Sequence, residues 1–219
     1  VPIARILLIN PNTSQATTDM MVRIAHAVAA PDVAIVGATA SRGPPMIIDP
    51  VALAAAAPQV VEIGVAQGAG FAGVIIGAFG DPGIDDLRQR VNIPVVGIAE
   101  AAMLAASAGD RRFGVATTTP ALAPAIDARA AGLGLAPRYT GVRLTPQDPH
   151  ELVADPAQLV EALRQAVSDC IRLDQAQAVI IGGGPLGNAA TALTPMFAVP
   201  VIAPVPAALH RILALIRER

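Results

Sequence analysis

Four short segments carry the groups that could do chemistry. Asn10-Pro11-Asn12-Thr13-Ser14 follows the apolar run ARILLI and sets amide and hydroxyl side chains close together. Thr117-Thr118-Thr119 follows another apolar run in the second half of the chain. Ala78-Phe79-Gly80-Asp81 and Gly183-Gly184-Pro185 each follow a run ending in Ile-Ile-Gly. Polar groups and exposed backbone N–H groups at such places either cap the following helix or bind a carboxylate or imide. Capping uses one such residue. Four polar groups in five positions, mirrored by the three threonines, favour ligand binding. The candidate substrate-binding residues are Asn10, Asn12, Thr13, Phe79, Gly80, Thr117, Thr118 and Gly184. Backbone amides near 79–80 and 183–184 would form an anion hole.

Acid–base candidates are few. Asp81 lies in a DPG turn just past an apolar run, so it either starts the turn, caps a helix beginning near residue 83, or acts catalytically. Asp49 is placed to cap a helix over 50–68. Glu100 opens a helix, where a carboxylate favours the dipole. His26, His150 and His210 lie far apart and show no metal-ligand spacing. All 15 positive residues are Arg, which excludes a Schiff-base lysine, covalent pyridoxal phosphate and a P-loop lysine. Cys170 is the single cysteine and sits on a helical pattern, the setting of a small buried core residue. Gly182, Gly184 and Gly187 match G-x-G-x-x-G, but no acidic residue follows between Asp174 and Glu218, so dinucleotide binding is not supported.

The elements that must position these groups are strands buried on both faces. Continuous aliphatic runs predict strands at 4–9, 33–38, 73–77, 94–98, 112–116, 138–143, 177–182 and 200–203. Helices are predicted at 14–29, 50–68, 83–90, 99–107, 120–133, 156–173, 187–193 and 206–217. The alternation gives an α/β architecture with parallel sheets. The chain also repeats itself. GVIIGAFG at 73–80 matches AVIIGGGP at 178–185, and ARILLINPNTS at 4–14 matches RRFGVATTTPA at 111–121, offsets of 105 and 107. We therefore expect two pseudo-symmetric flavodoxin-like halves, residues 1–98 with 206–219 and residues 99–205, with the ligand cleft between them.

Composition narrows the function. A 53% hydrophobic and 15% charged chain excludes intrinsic disorder. With 2% aromatics and no Trp, stacking platforms for bases are nearly absent. A net charge of −2 offers nothing to nucleic acid or an anionic membrane. No apolar stretch reaches about 18 residues without Gly, Pro or charge, and no signal peptide precedes NPNTS. The chain reads as soluble and cytoplasmic.

INPNTS at 9–14, GPP at 43–45, IIGAFGDPG at 75–83, PVVGIAEAA at 94–102, ATTTP at 116–120 and VIIGG at 179–183 together resemble the aspartate/glutamate/hydantoin racemase superfamily, closest to its hydantoin and allantoin racemase branch. The resemblance implies two α/β halves, a small carboxylate or cyclic-imide substrate, no cofactor and a homo-oligomer. It implies α-proton transfer by two cysteines on opposite faces of the substrate. Those cysteines belong at Ala78 and Gly183, so the two-thiol mechanism is missing here. A replacement base would have to come from Asp81, Asp49, Glu100 or a histidine, of which His210 in the last helix is the best placed. Two readings follow: a racemase-type isomerase working without thiols, with a decarboxylase-like relative as its variant, or a non-catalytic small-molecule binder on the same scaffold.

Overall fold

The structure is a computed structural model and describes residues 4–219. Eight strands lie where the aliphatic runs predict them: β1 (Ala4–Asn10), β2 (Val33–Thr39), β3 (Gly73–Ile76), β4 (Val95–Gly97), β5 (Phe113–Thr117), β6 (Tyr139–Leu144), β7 (Ala178–Ile181) and β8 (Val201–Ile202). They form two four-stranded parallel sheets, ordered β2-β1-β3-β4 and β6-β5-β7-β8. This is the same 2-1-3-4 winding twice, and each helical crossover returns the chain to a parallel neighbour.

Side-chain alternation decides the layers. Ile6 and Leu8 of β1, Ile75 of β3, Phe113 and Val115 of β5, and Ala178 and Ile180 of β7 all enter one core shared by the two halves. Their neighbours Leu7, Ile9, Val74 and Ile76 enter a second core on the outer face of the first sheet. Val179 and Ile181 enter a third, on the outer face of the second sheet. A period of two along each strand requires this division. β2 and β6 are sheet edges and stay partly exposed, unlike the fully buried β3 and β7.

Nine helices cover these faces among the described residues: α1 (Gln15–Val28), α2 (Pro50–Gln67), α3 (Ile84–Arg90), α4 (Ile98–Ser107), α5 (Ala123–Gly132), α6 (Pro149–Ala154), α7 (Pro156–Arg172), α8 (Gly187–Leu193) and α9 (Pro204–Arg217). α1, α4, α5 and α9 contribute to the shared core, α2 and α3 to the outer core of the first sheet, and α7 and α8 to that of the second. α9 returns to the first sheet, where Ile212 packs over Gly73. α6 was not anticipated; it is six residues long and rests on Asp148, which accepts from His150 N at 2.8 Å. α2 is long and apolar enough to cross a membrane, but its Val60 and Val61 are buried against the first sheet.

The registers of the two sheets correspond. Ile6 pairs with Gly73, and Phe113 pairs with Ala178. Carried along both strand pairs, this makes Thr117 the counterpart of Asn10, and Gly183 the counterpart of Ala78. The four loops singled out in the sequence therefore leave the strands at matching ends.

Candidate functional site

These loops enclose a cleft of about 40 Å³. A single water needs roughly 10–15 Å³ by the same measure, so the space suits a compact ligand. From the first half come Asn12 and Gly77-Ala78-Phe79; from the second come Thr118-Thr119 and Gly182-Gly183-Gly184. The halves touch at its floor. A β-carbon on Gly184 would stand 2.7 Å from the Gly77 carbonyl oxygen, a distance no side chain tolerates.

The Asn-rich turn is held together by its own side chains. Asn10 is fully buried, and its Nδ2 donates to Asn12 Oδ1 at 2.8 Å and to Thr18 Oγ1 at 3.0 Å. Asn10 Oδ1 accepts from Asn12 N at 3.2 Å. Asn12 Oδ1 also accepts from Ser14 N at 2.9 Å, so its NH₂ is the group left to face the cleft. Ser14 caps α1 by accepting from Thr17 N at 3.2 Å. Thr13 braces the next loop, with Oγ1 donating to Gly43 O at 3.4 Å.

The second half is arranged similarly. Thr117 is fully buried and its Oγ1 donates to Gly182 O at 2.6 Å, tying the loops after β5 and β7 together. Thr118 lines the cleft, and its hydroxyl has no partner among the described residues. Of the amides expected to form an anion hole, those of Phe79, Gly80 and Gly184 have no acceptor among the described residues, whereas Gly183 N donates to Ile181 O at 3.2 Å.

The predicted residues thus divide into three groups. Asn12, Ala78, Phe79, Thr118, Gly183 and Gly184 line the cleft. Asn10, Thr13 and Thr117 shape its loops from behind. Gly80 and Asp81 lie outside it, beside a separate surface hollow. The apolar wall was missed: Met46 and Ile47 from the loop after β2, Leu53 of α2, and Leu122 and Ile126 at α5. Its legible signal was MII in the Pro-rich segment GPPMIID, where apolar side chains sit in a loop.

Asp81 starts the expected turn, its carbonyl accepting from Ile84 N at 3.3 Å, but its side chain does not cap α3. Its side chain is wholly enclosed, and it caps α4 instead. Oδ1 accepts from Ala99 N at 2.9 Å, and Oδ2 from Glu100 N at 2.8 Å and from Arg129 Nε at 3.0 Å. Burial pushes its carboxyl up to about 6, against the downward pull of Arg129 and the two helix amides. Glu100 is equally committed, bonded by Arg129 Nη2 at 2.6 Å and Arg88 Nη2 at 2.7 Å. Asp49 caps α2 through Ala52 N at 2.8 Å. His210 lies on α9, against a different hollow. Cys170 is buried in the α7 core. Among the described residues lining the cleft there is no ionisable side chain.

Comparison with known proteins covers nearly the whole chain. The family pattern described as Asp/Glu/Hydantoin racemase matches residues 6–212. A hydantoin racemase of Pseudomonas sp. (strain NS671) is 31% identical over 199 residues, spanning 90% of this chain and 80% of the relative. The structure of allantoin racemase from Klebsiella pneumoniae superposes with a TM-score of 0.92 at 32% identity, covering 98% of this chain and 88% of that one. Allantoin racemase from Pseudomonas fluorescens gives 0.92 at 31% identity, covering 98% and 91%.

Proposed function

The chain belongs to the Asp/Glu/hydantoin racemase family, and from that premise we propose that its cleft holds a small neutral cyclic ureide or imide, of the hydantoin or allantoin kind, without side-chain acid–base chemistry at the ring carbon. One observation carries this reading: no ionisable group lines the cleft among the described residues. Racemisation needs a proton acceptor on one face of the α-carbon and a donor on the other. Ala78 and Gly183, where the family resemblance expects thiols, supply neither.

The same observation selects the ligand. An amino acid such as glutamate would bring charges into a cleft with no counter-charge, and burying unpaired charge is costly. A neutral ring asks only for hydrogen bonds. The Asn12 NH₂, the Thr118 hydroxyl and the unpaired amides of Phe79 and Gly184 can donate to ring carbonyls. Leu53, Leu122 and Ile126 suit a hydrocarbon substituent on the ring. Decarboxylation, which needs a single proton donor, meets the same shortage.

A second reading keeps the family's α-proton chemistry with another base. It is favoured by the 31–32% identity to proteins named as racemases over nearly the whole chain. Proton NMR in D₂O separates the two. Single enantiomers of a 5-alkylhydantoin, allantoin and glutamate are mixed with the protein, and with an Ala78→Cys/Gly183→Cys variant. The first reading expects line broadening of the hydantoin, none for glutamate, and α-proton loss at the buffer rate with the unmodified chain. Faster exchange with the unmodified chain overturns it in favour of the second.

A further inference from the structure

We propose that Arg129 is a positioning residue: it latches the second half of the molecule onto the first at the rim of the cleft and so sets the cleft's width. Arg129 projects from α5, one turn beyond Ile126, which lines the cleft. It reaches Asp81 after β3, in the other half, and Glu100 in the first turn of α4, which opens its own half and is itself held by Arg88 of the first. Its side chain is only 16% exposed, and those of Asp81 and Glu100 are 0% and 10% exposed. These are largely desolvated contacts in which a guanidinium fork engages two acceptors at once, the geometry in which an ion pair is both specific and costly to break.

The surroundings are shaped for this contact. Asp81 sits at φ 51°, the left-handed region, which Asp tolerates better than most residues. That conformation turns its carboxylate onto the N-terminus of α4. Gly97 leaves the space: a β-carbon there would stand 2.0 Å from Asp81 Cγ. Arg88 holds Glu100 from its far side and also donates to Val95 O at 2.8 Å, fixing the carboxylate that Arg129 meets.

The latch lies next to the ligand walls. Leu53 lines both the cleft and the hollow that exposes Arg129, and it packs over Gly80. Beyond the core that the halves share, they meet around the cleft at two places, at the floor by Gly77 against Gly184 and at the rim by Arg129. Releasing the rim lets the segment 78–81 and the start of α5 move apart while the floor stays closed.

The test begins without ligand. Hydrogen exchange by mass spectrometry is compared for the unmodified chain, Arg129→Gln and Arg129→Lys. The expected result is at least tenfold faster exchange in Arg129→Gln, confined to residues 78–86, 98–104 and 118–128, with α7 unchanged. Arg129→Lys, which keeps the charge but loses the fork, should fall between. Unchanged exchange at 78–86, or equal acceleration everywhere including α7, overturns the latch. The ligand arm rests on the proposed ring-binding role and uses 5-isopropylhydantoin. Its dissociation constant should rise about tenfold in Arg129→Gln, with partial recovery in Arg129→Lys. An unchanged constant overturns the claim that the latch sets the cleft. If the unmodified chain binds no hydantoin while exchange changes locally, the ring-binding role falls and the latch stands.

Discussion

The side chain of Leu186 stands where a larger residue at position 183 would need room. A β-carbon on Gly183 would lie 3.1 Å from both Leu186 Cγ and Cδ1, tighter than an ordinary van der Waals contact. Ala78, its counterpart in the first half, already carries a β-carbon and is partly open to the cleft. The two positions are therefore unequal. Ala78→Cys should fold with a stability change within about 0.5 kcal/mol. Gly183→Cys should cost roughly 1–2 kcal/mol through overpacking. Leu186→Ala, itself a loss of about 2–5 kcal/mol at this buried position, should cost less in the Gly183→Cys chain than in the unmodified one, and urea unfolding of the two single variants, the double variant and the unmodified chain measures the difference. Additive losses in the double variant would show that Leu186 is not the obstacle.

Gly97 offers a sharper test of the buried carboxylate. Its φ of −91° is open to any residue, so backbone freedom is not why glycine is needed. The obstacle is Asp81, whose carboxyl carbon would lie 2.0 Å from an added β-carbon. Three donors hold that carboxylate, so it cannot move aside without leaving at least one unpaired. Gly97→Ala should therefore destabilise by about 3 kcal/mol or more, the size expected when a buried charge loses its partners. Thermal unfolding of the variant checks this. A loss under about 1 kcal/mol would mean that Asp81 has another place to go.

Why some of this was legible in the sequence and some was not follows from the range of each interaction. The strands were legible because aliphatic runs bounded by Gly, Pro and polar residues have few other uses. The correspondence of the halves was legible because equivalent strands occupy equivalent layers, so GVIIG and AVIIG carry the same burden. Asn12 and Thr118 were found by their position just past a strand. For Asp81 the sequence offered a turn, a cap on the next helix or a catalytic role; the backbone turn is there, yet the side chain's partners lie 18, 19 and 48 residues away. Nothing near Asp81 announces Arg129. The apolar wall at Met46 and Ile47 was hidden for a different reason: hydrophobic residues in a loop look like core until the cleft they face is known.

The lone cysteine makes a separate prediction. Cys170 is completely buried, and burial pushes its thiol up to about 12, with Asp174 adding to the rise and Arg143 opposing it. At pH 8 almost no thiolate forms, and the thiolate is the reactive species. A disulfide reagent such as Ellman's should leave the folded protein untouched for hours and consume one equivalent on unfolding in urea. The rate of that reaction in the native state would then report global opening. Prompt reaction under native conditions would mean that α7 separates readily from the second sheet.

Asp81 also makes the molecule's stability depend on pH in an uncommon direction. Its folded value is about 6, against 3.8 for the unfolded group. Between those values the folded state binds more proton than the unfolded state, so unfolding free energy declines as pH rises from about 4 to about 6. Fully expressed, a difference of that size between the two states amounts to about 3 kcal/mol. Most paired carboxylates act in the opposite sense, because their partners outweigh desolvation. Here the enclosure of the side chain dominates, and Arg129 with two amides only partly offsets it. Other titrating groups contribute as well, so the informative quantity is the difference between the unmodified chain and Asp81→Asn. An Asn cannot ionise, and its NH₂ meets donors, so the variant should be weaker at every pH. The gap between the two proteins should be widest near pH 4 and narrow as the pH approaches 7. Urea titrations at half-unit intervals measure that gap. A gap that widens with pH would place the folded carboxyl below 3.8 and make Arg129, not burial, the stronger influence on it.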